Sequence, residues 1–444
     1  MENIKESRRR RQGITRFILC SGTGIFLFFV RIKIGESSGI PVDHLIGLLK
    51  RLLTDFYIYI ILIFTAYSVT KRILDKDARK TGTDIFFFMQ AVLGFVLCIL
   101  KVLGLLPQDL MDMAQSAINA TGNILCAIFL TALFIPFLTE YGLVDFVGVL
   151  CRPVMRRFFH TPGSSAVIGV SAFLGNYSMG HVISRQMYDE GGFTEREAVI
   201  VATGFSTCSI GLMINLVNYL GLMEYWGLYV LSVLLVTFVT TMITARIYPV
   251  RSKSENYKEG VKPVNESEEK YGKMCRAFHT GVEKASNAPA LWKSISSILR
   301  RIFPILCEIT GTSVFVIPFG MFLAGYTDFF AILGIPFRIL LPMLGISGSD
   351  VLYSSKALGI SILEPVLAGV ISEGTLSSMT AKWIVGVVPY SAIIFFAGFV
   401  PSLWKSGIPC KLYELILIWI ERVAIGVVLS SLLAYLFLFI GVFG

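Results

Sequence analysis

Long apolar stretches separated by short polar ones make up most of the chain. A helix needs about 20 consecutive apolar residues to cross a bilayer. Two further stretches, 163–185 and 347–372, are apolar but rich in glycine and serine, which is typical of broken helices or re-entrant hairpins. The pattern predicts an all-α, polytopic membrane protein of about 9–11 helical segments. The stretches long enough to span are Ile14–Val30, Leu53–Val69, Asp84–Leu106, Ile118–Leu138, Arg196–Gly221, Tyr225–Tyr248, Ile302–Gly325, Lys382–Leu403 and Leu412–Phe443.

Composition supports a membrane location. Hydrophobic residues make up 55% of the 444 residues and charged residues 16%, whereas soluble domains carry about 25% charged residues. The mean hydropathy is +0.71. A soluble fold this apolar would expose much of that surface to water, while a bilayer accepts it on every outward face. A large soluble catalytic domain is therefore excluded.

The formal charge of +9 is concentrated beside the apolar runs. Six basic residues fall in the first sixteen positions, five between 71 and 80, and twelve between 246 and 301. The positive-inside rule explains this distribution better than phosphate binding does, so nucleic acid is not a predicted partner. We expect a multi-pass protein of the cytoplasmic (inner) membrane with a cytoplasmic N-terminus. Residues 249–290 are polar and lack helical apolar periodicity, which predicts a cytoplasmic linker.

Metal, cofactor and catalytic motifs are not found in the sequence. The eight cysteines are scattered without a CxxC pair, and the four histidines show no ligand spacing, so no zinc or haem site is predicted. No GxxxxGK[ST] loop occurs, so direct use of ATP is not expected. Without a nucleophile-and-base grouping the chain is not predicted to be an enzyme.

An internal duplication is visible in the sequence. GLVDFVGVLCRP at 142–153 matches GYTDFFAILGIP at 325–336, and Asp189–Ser209 aligns with Ser372–Ala392, both at an offset of 183 residues. The order of elements also repeats: a span, a short amphipathic piece, a Gly/Ser-rich stretch, an interrupted helix and a long apolar helix. The predicted divisions are a three-helix N-terminal segment 1–117, a first repeat 118–248, a linker 249–297 and a second repeat 298–444.

The charge pattern predicts that the second repeat is inverted. An even number of crossings must separate the basic residues after the fourth span from the basic linker, yet three apolar pieces lie between them. We therefore expect 163–185 to enter and leave on the same side. Each repeat then crosses an odd number of times. Inverted repeats with broken helices are a recurring transporter architecture.

Residues 152–211 resemble a known group of domains. Their Pro-Gly turn, the asparagine at 176, Glu190-Gly191, Thr194-Glu195-Arg196 and a Ser/Thr-rich helix break are similar to the nucleoside recognition, or Gate, domain, in particular to the YjiH family of bacterial membrane proteins. Gate domains also occur in concentrative nucleoside transporters, B-type ferrous iron transporters and spore maturation proteins. The resemblance implies a site made of a hairpin and an unwound helix, and it leaves the substrate open.

The candidate site comprises the polar residues of the two hairpins and the two helix breaks. Unwound membrane helices expose backbone groups, and the ends of half-helices carry partial charges that can hold ions or polar solutes. In the second repeat, Pro389 and Tyr390 align with the first break, so the site is expected to be asymmetric. The candidate residues are Asn176, Tyr177, Ser178, His181, Thr203, Ser206, Thr207, Ser355, Lys356, Glu364, Glu373, Tyr390 and Ser391.

Several candidates also have a simpler structural explanation, whereas Glu364, an ionisable residue inside an apolar stretch, favours a functional role. Membrane serines and threonines often bond back to their own helix. Lys356 could snorkel to the interface and Glu373 could be a solvated acid at a helix end, while His181 could be a hydrogen-bonded core residue. Within the last span, Glu421 could pair with a basic residue across the bundle, and the neighbouring Arg422 has no assigned role.

The leading hypothesis is a secondary transporter that moves a polar solute, such as a nucleoside, amino acid or peptide-like compound, by alternating access. Its predicted partners are the lipid bilayer and that solute. No cofactor is expected apart from a coupling ion, Na⁺ or H⁺, and a homo-oligomer stays open. The alternative is a non-transporting scaffold or channel subunit that resembles spore maturation proteins.

Overall fold

The computed structural model of the chain describes residues 2–34, 37–74, 82–174, 177–206, 210–263 and 273–443. Within these ranges the chain forms 21 α-helices and one small antiparallel sheet of two strands. Eight helical stretches of the described part are long and apolar enough to cross a membrane. The prediction of an all-α, polytopic membrane protein is therefore confirmed.

The N-terminal segment contains more than the three predicted spans. A short strand pair and an amphipathic helix, with Pro41, Val42 and Ile46 on its buried face, stand between the first and second spans. Neither was predicted, because both are short and the sequence pattern of the strands is too brief to read. The elements are α1 Glu2–Phe29, β1 Ile32–Ile34, β2 Ser37–Gly39, α2 Pro41–Leu53, α3 Tyr57–Leu74 and α4 Gly82–Val102.

Two units of similar element order follow and are joined by one helix. The first unit consists of α5 Gln108–Phe134, α6 Pro136–Thr139, α7 Leu143–Val154, α8 Ser165–Leu174, α9 Tyr177–Asp189, α10 Glu195–Phe205, α11 Ile210–Leu220 and α12 Trp226–Thr244. The joining helix is α13 Lys273–Asn287. The second unit consists of α14 Leu291–Tyr326, α15 Phe329–Leu333, α16 Ile335–Met343, α17 Ser349–Ile360, α18 Pro365–Ser372, α19 Met379–Ala392, α20 Phe399–Ser406 and α21 Leu412–Phe439.

Several helices in each unit are too short to cross a bilayer. The pairs α8/α9 and α17/α18, here called hairpin 1 and hairpin 2, consist of helices of 8 to 13 residues. At a rise of about 1.5 Å per residue they are roughly 12–20 Å long, short of the ~30 Å hydrocarbon core. The halves of the interrupted helices, α10 and α11 and then α19 and α20, have 8 to 14 residues each. Their ends near the breaks therefore lie inside the fold.

The two units exchange contacts reciprocally. Helix α9 of hairpin 1 packs on α20, the second half of the other unit's broken helix, and α18 of hairpin 2 packs on α11, the second half of the first unit's broken helix. Each hairpin also packs on its own unit's α10 or α19. This exchange is the arrangement that two related units adopt around a shared centre. The inversion of the second repeat stays a prediction.

The broken helix of the second unit starts from a well-defined N-terminus. The Ser378 hydroxyl caps it by accepting a hydrogen bond from the Ala381 amide at 3.2 Å. The Asp350 carboxylate at the start of α17 accepts from the Ser377 and Ser378 amides at 2.9 and 2.8 Å. These bonds fix the start of hairpin 2 to the start of α19.

The predicted span Lys382–Leu403 is interrupted, as the repeated order of elements led us to expect. Helix α19 runs through Pro389 and ends at Ala392, and α20 begins only at Phe399. Proline removes one helical hydrogen bond without ending a helix that its surroundings hold in place. The chain turns at Ile393, which has a φ of +68°. The break therefore begins at Ile393, three residues after the pair Pro389-Tyr390 at which the sequence predicted it.

The linker is partly helical, contrary to the sequence prediction. Helix α13 lies within it and packs against α1 and α7. Its buried face consists mainly of Ala277, Val282 and Ala285, which follow helical spacing, so the sequence carries an amphipathic pattern that the prediction missed. Phe278 meets Phe17 of α1 edge to face at 5.7 Å. The linker therefore attaches the first span to the start of the first unit.

Residues 253–262, here called the strap, cross from one unit to the other. Lys253 Nζ donates to Glu414 Oε2 at 2.8 Å in the second unit, and Lys258 Nζ donates to Asp189 Oδ1 at 2.7 Å at the end of hairpin 1. Asp189 Oδ2 also accepts from Arg185 Nε at 2.8 Å, and Arg196 pairs with Glu255. The strap thus connects hairpin 1 to the start of α21 through ion pairs.

Replacing Asp189 by asparagine is expected to loosen the strap. Arg185 and then Lys258 lower the pKa of the Asp189 carboxyl by hydrogen bonding to it. A lowered pKa stabilises the folded state above the unfolded pKa of about 3.9 and ceases to do so as the pH falls through the folded value. Partly exposed pairs are worth about 0.5–1 kcal/mol, so tryptic cleavage in the strap should accelerate about two- to five-fold at neutral pH.

The control for this test is Glu283→Gln, which removes a carboxylate 3.8 Å from His279 on the exposed side of α13. It should leave strap cleavage unchanged. Hydrogen exchange of the strap amides in wild type and Asp189→Asn should differ fully at pH 7 and converge only as the pH falls through the lowered pKa of Asp189, which lies under its unfolded value of about 3.9. Equal exchange at both pH values would contradict a role for Asp189 in holding the strap.

Candidate functional site

A buried arginine holds the end of the broken helix α19. Arg422 of α21 has no exposed surface. Its Nε donates to the Ala392 carbonyl at 3.0 Å and its Nη2 to the Ser391 carbonyl at 2.6 Å. These are among the last carbonyls of α19, which have no partner within the helix. The guanidinium therefore caps the break and places a positive charge at the negative end of the helix.

The same guanidinium reaches the broken helix of the first unit through one hydroxyl. Arg422 Nη1 donates to Thr241 Oγ1 of α12 at 3.0 Å. The Thr241 hydroxyl in turn lies 2.8 Å from the Gly204 carbonyl, in the last turn of α10, and 2.7 Å from the Thr237 carbonyl of its own helix. Arg422 and Thr241, here called the clamp, thus join the two helix breaks. The clamp is the central feature of the site.

The sequence did not predict the contact between Arg422 and Thr241. Arg422 stood out as a charge within a span, but nothing in its neighbours indicated which carbonyls it would meet. Glu421 next to it does not form the expected cross-bundle pair, because no ion pair to it occurs among the described residues and its buried Oε2 has no hydrogen-bond partner there. The one usable signal was the rarity of arginine inside an apolar helix.

The non-helical segment 393–398 lies between the two hairpins. Its Phe396 and Ala397 amides donate to the Ile362 and Leu363 carbonyls in the turn of hairpin 2, at 2.7 and 2.9 Å. Glu364 follows that turn directly and precedes the first residue of α18. The break of the second unit is therefore held on one side by backbone bonds next to a carboxylate.

Aromatic side chains occupy the other side of this segment. The ring of Tyr177 meets Phe395 edge to face at 5.4 Å, and the ring of His181 meets Phe399 edge to face at 4.5 Å. Tyr177 and His181 lie 6.0 Å apart on one face of α9. These four rings, here called the aromatic cluster, connect hairpin 1 to the break of the second unit.

His181 is a buried residue with one clear hydrogen bond. Its Nδ1 lies 3.0 Å from the Ser402 hydroxyl of α20. The imidazole also lies beside the backbone of Ala202, and its Nε2 has no hydrogen-bond partner among the described residues. The explanation of His181 as a hydrogen-bonded core residue therefore accounts for Nδ1. It does not account for Nε2.

Most of the predicted hydroxyls bond to backbone carbonyls. Thr203 donates to Val199 at 2.7 Å, Ser355 to Leu352 at 2.9 Å and Ser391 to Val388 at 3.0 Å, all within their own helices. Tyr390 donates across to the Leu212 carbonyl at 2.7 Å. These contacts match the structural explanation and join α19 to α11. Direct solute contact by these hydroxyls stays a prediction.

The other candidates differ in their surroundings. Ser206 is buried beside Gly180 of hairpin 1, where an added Cβ would lie 2.4 Å from its hydroxyl, and this hydroxyl has no partner among the described residues. Lys356 is half-buried and Glu373 is exposed at the end of α18. The structure therefore brings Tyr177, His181 and Ser206 together and leaves Glu373 apart. Asn176, Thr207 and the side chain of Ser178 lie outside the described residues.

No group of three or more His, Cys, Asp or Glu side chains that could hold a metal ion is found within the described ranges. The polar groups of the site are instead a guanidinium, a carboxylate, an imidazole, hydroxyls and backbone amides and carbonyls. Such groups recognise polar organic solutes and alkali cations or protons.

Residues 122–223 match the family model of the nucleoside recognition, or Gate, domain. The chain contains a Gate-type segment. This segment runs from within α5 to just beyond α11, so it includes hairpin 1 and the first broken helix. The aligned region of the sequence resemblance, 152–211, falls entirely inside it. The clamp residues and hairpin 2 lie outside it.

One curated relative matches nearly the whole chain. It is an uncharacterized protein of Alkalihalophilus pseudofirmus, 25% identical over 443 residues that cover 96% of this chain and 95% of its own. Among solved structures, a doubly substituted variant of CNTnw in an outward-facing state is similar with a TM-score of 0.42, 15% identity and coverage of 96% and 92% of the two chains. A second such variant is similar with a TM-score of 0.39 and 11% identity, and the match covers 95% of this chain and 91% of that structure's chain.

Proposed function

We propose that this protein is a secondary transporter of the inner membrane, with a cytoplasmic N-terminus, that moves a polar solute by alternating access. The observation that carries the proposal is the junction of two interrupted helices by the clamp, with each unit's hairpin packed on the other unit's half-helix. Interrupted helices place free backbone groups inside the membrane, which is tolerated only where they are buried in protein or line a wet path. A solute site between the two units would use those groups.

The proposed mechanism moves the two units against each other. Hairpin 1 touches the second unit through the aromatic cluster, and hairpin 2 touches the first unit through α11. A rocking motion of one unit would change both contacts together, opening one side of the site as the other closes. The second unit would be inverted relative to the first, as the charge pattern predicts.

A nucleoside is the first solute class to test. The Gate-type segment supports this choice. The hydroxyls and amides near the breaks would bond to a ribose. Amino acids and peptide-like compounds remain in the same panel, because their polar groups need the same kinds of partner.

Glu364 is the proposed ion-coupling residue. It lies directly after the hairpin 2 turn, whose Ile362 and Leu363 carbonyls accept hydrogen bonds from the segment 393–398. Burying an ionisable residue inside the membrane costs free energy, so such residues usually have a function. Its carboxylate could bind Na⁺ or take up a proton. We expect Glu364→Gln to abolish gradient-driven uptake while the protein still binds solute.

The test uses the full chain in proteoliposomes, with a panel of nucleosides, amino acids and dipeptides supplied in the external medium under an inward Na⁺ or H⁺ gradient. Accumulation of one class, lost in Glu364→Gln and kept in the surface control Glu283→Gln, is the expected result. Folded protein that takes up nothing under either gradient would contradict transport. It would favour the scaffold hypothesis, under which substituting Glu364 changes no phenotype.

A further inference from the structure

The N-terminal segment places a lysine against the Gate-type segment. Lys50 of α2 is half-buried, and its Nζ lies 3.4 Å from Oδ1 of Asn215 in α11. Asn215 is only 1% exposed. A second contact joins the same two helices, since the Asn218 amide donates to Asp43 Oδ1 at 2.9 Å. Helix α2 is therefore bonded to the helix that follows the first break.

The hydrogen-bond donors at this contact outnumber the acceptors. Lys50 carries three N–H donors, and the one side-chain hydrogen bond that its ammonium makes to the described residues, to Asn215, is long at 3.4 Å. The Asn215 Nδ2 group is buried and has no hydrogen-bond partner among the described residues. Turning the amide over would point its N–H groups at the ammonium, so the observed orientation is the favourable one. A buried amide donor without a partner costs about 1–3 kcal/mol.

The positive charge of Lys50 also lacks a close counter-ion. No carboxylate of the described residues lies within 4.0 Å of its ammonium. Asp43, seven positions earlier in α2, acts on the ammonium electrostatically without forming an ion pair with it. The Asp43 carboxylate is already bonded to Asn218. An ammonium in an apolar helix bundle with no carboxylate in contact is costly, and a bound anion would offset that cost.

Polar groups from α3 and α5 continue this surface. The Tyr57 hydroxyl, at the start of α3, donates to Asn123 Oδ1 at 3.2 Å, and Tyr219 of α11 lies beside the same Asn123 side chain. Glu373 lies near enough to Tyr219 to act on it electrostatically. Glu373 therefore lies near Tyr219, whereas the Lys50 ammonium lies near Asn215.

We propose that Lys50 and Asn215 form a binding site for an oxyanion, the carboxylate or phosphate group of a ligand, with one oxygen facing Nζ and the other facing Nδ2. The ligand is either a water-soluble anion or an anionic lipid headgroup, and the chemistry recognised is the same. The site lies between α2, α5 and α11, apart from the clamp and the aromatic cluster. It does not depend on transport, because binding can be measured on the protein at rest.

The experiment measures thermal unfolding of the full chain in nanodiscs. In discs of phosphatidylcholine alone, inorganic phosphate or succinate is titrated against sodium chloride of equal ionic strength. In a second arm, phosphatidylglycerol replaces part of the lipid with no added anion. A saturable rise in Tm of about 3 °C or more in either arm is expected, and the arm that responds identifies the source.

Variants connect the response to the two residues. Lys50→Gln is expected to lose the rise in Tm, whereas Arg51→Gln, which removes the exposed neighbouring charge, should keep it. Asn215→Asp places a carboxylate beside Lys50 and should raise the basal Tm while removing the response. This variant keeps the test informative if Lys50→Gln does not fold.

The proposal is overturned if neither arm raises the Tm of the wild type beyond the sodium chloride control. It is also overturned if Lys50→Gln responds as the wild type does, or if Arg51→Gln loses the response equally. A lysine that merely snorkels to the interface would give one of these results. The transport proposal can fail in proteoliposomes while this binding persists, so the two are separable.

Discussion

Arg422→Met is expected to destabilise the protein by about 3–5 kcal/mol, because it removes the charge and the donors that hold two helix ends and leaves their carbonyls buried without partners. Methionine fills much of the same volume, so the loss would come from the hydrogen bonds rather than from a cavity. We expect little folded protein on gel filtration in detergent. Where some folds, it should be inactive in the transport assay.

Two companion variants separate charge from geometry. Arg422→Lys keeps the charge but offers a single point donor in place of the planar fork that reaches Ser391, Ala392 and Thr241 together, so it should recover only part of the stability. Thr241→Val removes the hydroxyl at similar volume and should cost about 1–3 kcal/mol. Because the two side chains touch, their effects should be non-additive in a double-mutant cycle.

The control is Leu436→Ala on the exposed face of the same helix, α21. It should leave folding in detergent close to that of the wild type. Arg422→Met with unchanged Tm and unchanged gel-filtration behaviour would refute the structural role assigned to the clamp. Strict additivity of Arg422→Lys and Thr241→Val would show that the two residues do not act together.

Gly359→Ala is expected to cost about 3 kcal/mol or more and to reduce the amount of folded protein sharply. In α17 an added Cβ would lie 2.6 Å from the Phe330 carbonyl oxygen, and at Gly334 on the opposing element it would lie 2.4 Å from the Ser355 carbonyl oxygen. Both obstacles are backbone atoms, so no side chain can move aside. Hairpin 2 would have to separate from α15 and α16.

Gly325→Ala is the matched control, since an added Cβ there meets nothing within 4 Å. It should fold as the wild type does, or slightly better, because alanine favours the helix. Thermal unfolding in detergent compares the three proteins directly. A Gly359→Ala protein as stable as Gly325→Ala would mean that hairpin 2 does not need its close packing on the short helices.

Periodicity and composition were enough for the long spans and for the places where helices are interrupted. The predicted span Arg196–Gly221 was expected to be interrupted between Gly204 and Gly211. The structure agrees, since α10 ends at Phe205 and α11 begins at Ile210. The Gly/Ser-rich stretches were expected to be broken, and each forms a pair of short helices. These features depend on local backbone preference, which the sequence carries directly.

Features that depend on distant partners could not be predicted in this way. The break after Ala392 is set by Arg422, thirty residues along the chain, so the nearby Pro389 pointed to the wrong position. The contact between Lys50 and Asn215 joins residues 165 positions apart. Only the assembled fold shows which of the scattered polar residues meet.

The reciprocal packing of the hairpins also affects how the chain can be made. When the ribosome has produced only the first unit, α9 and α11 still lack the helices α20 and α18 that cover them. The first unit must therefore stay in the membrane with polar and small-residue surfaces uncovered until the second unit has been synthesised. In this respect it resembles one half of a domain-swapped pair. Two separately produced halves, split within the linker, should accordingly be rescued only by co-expression.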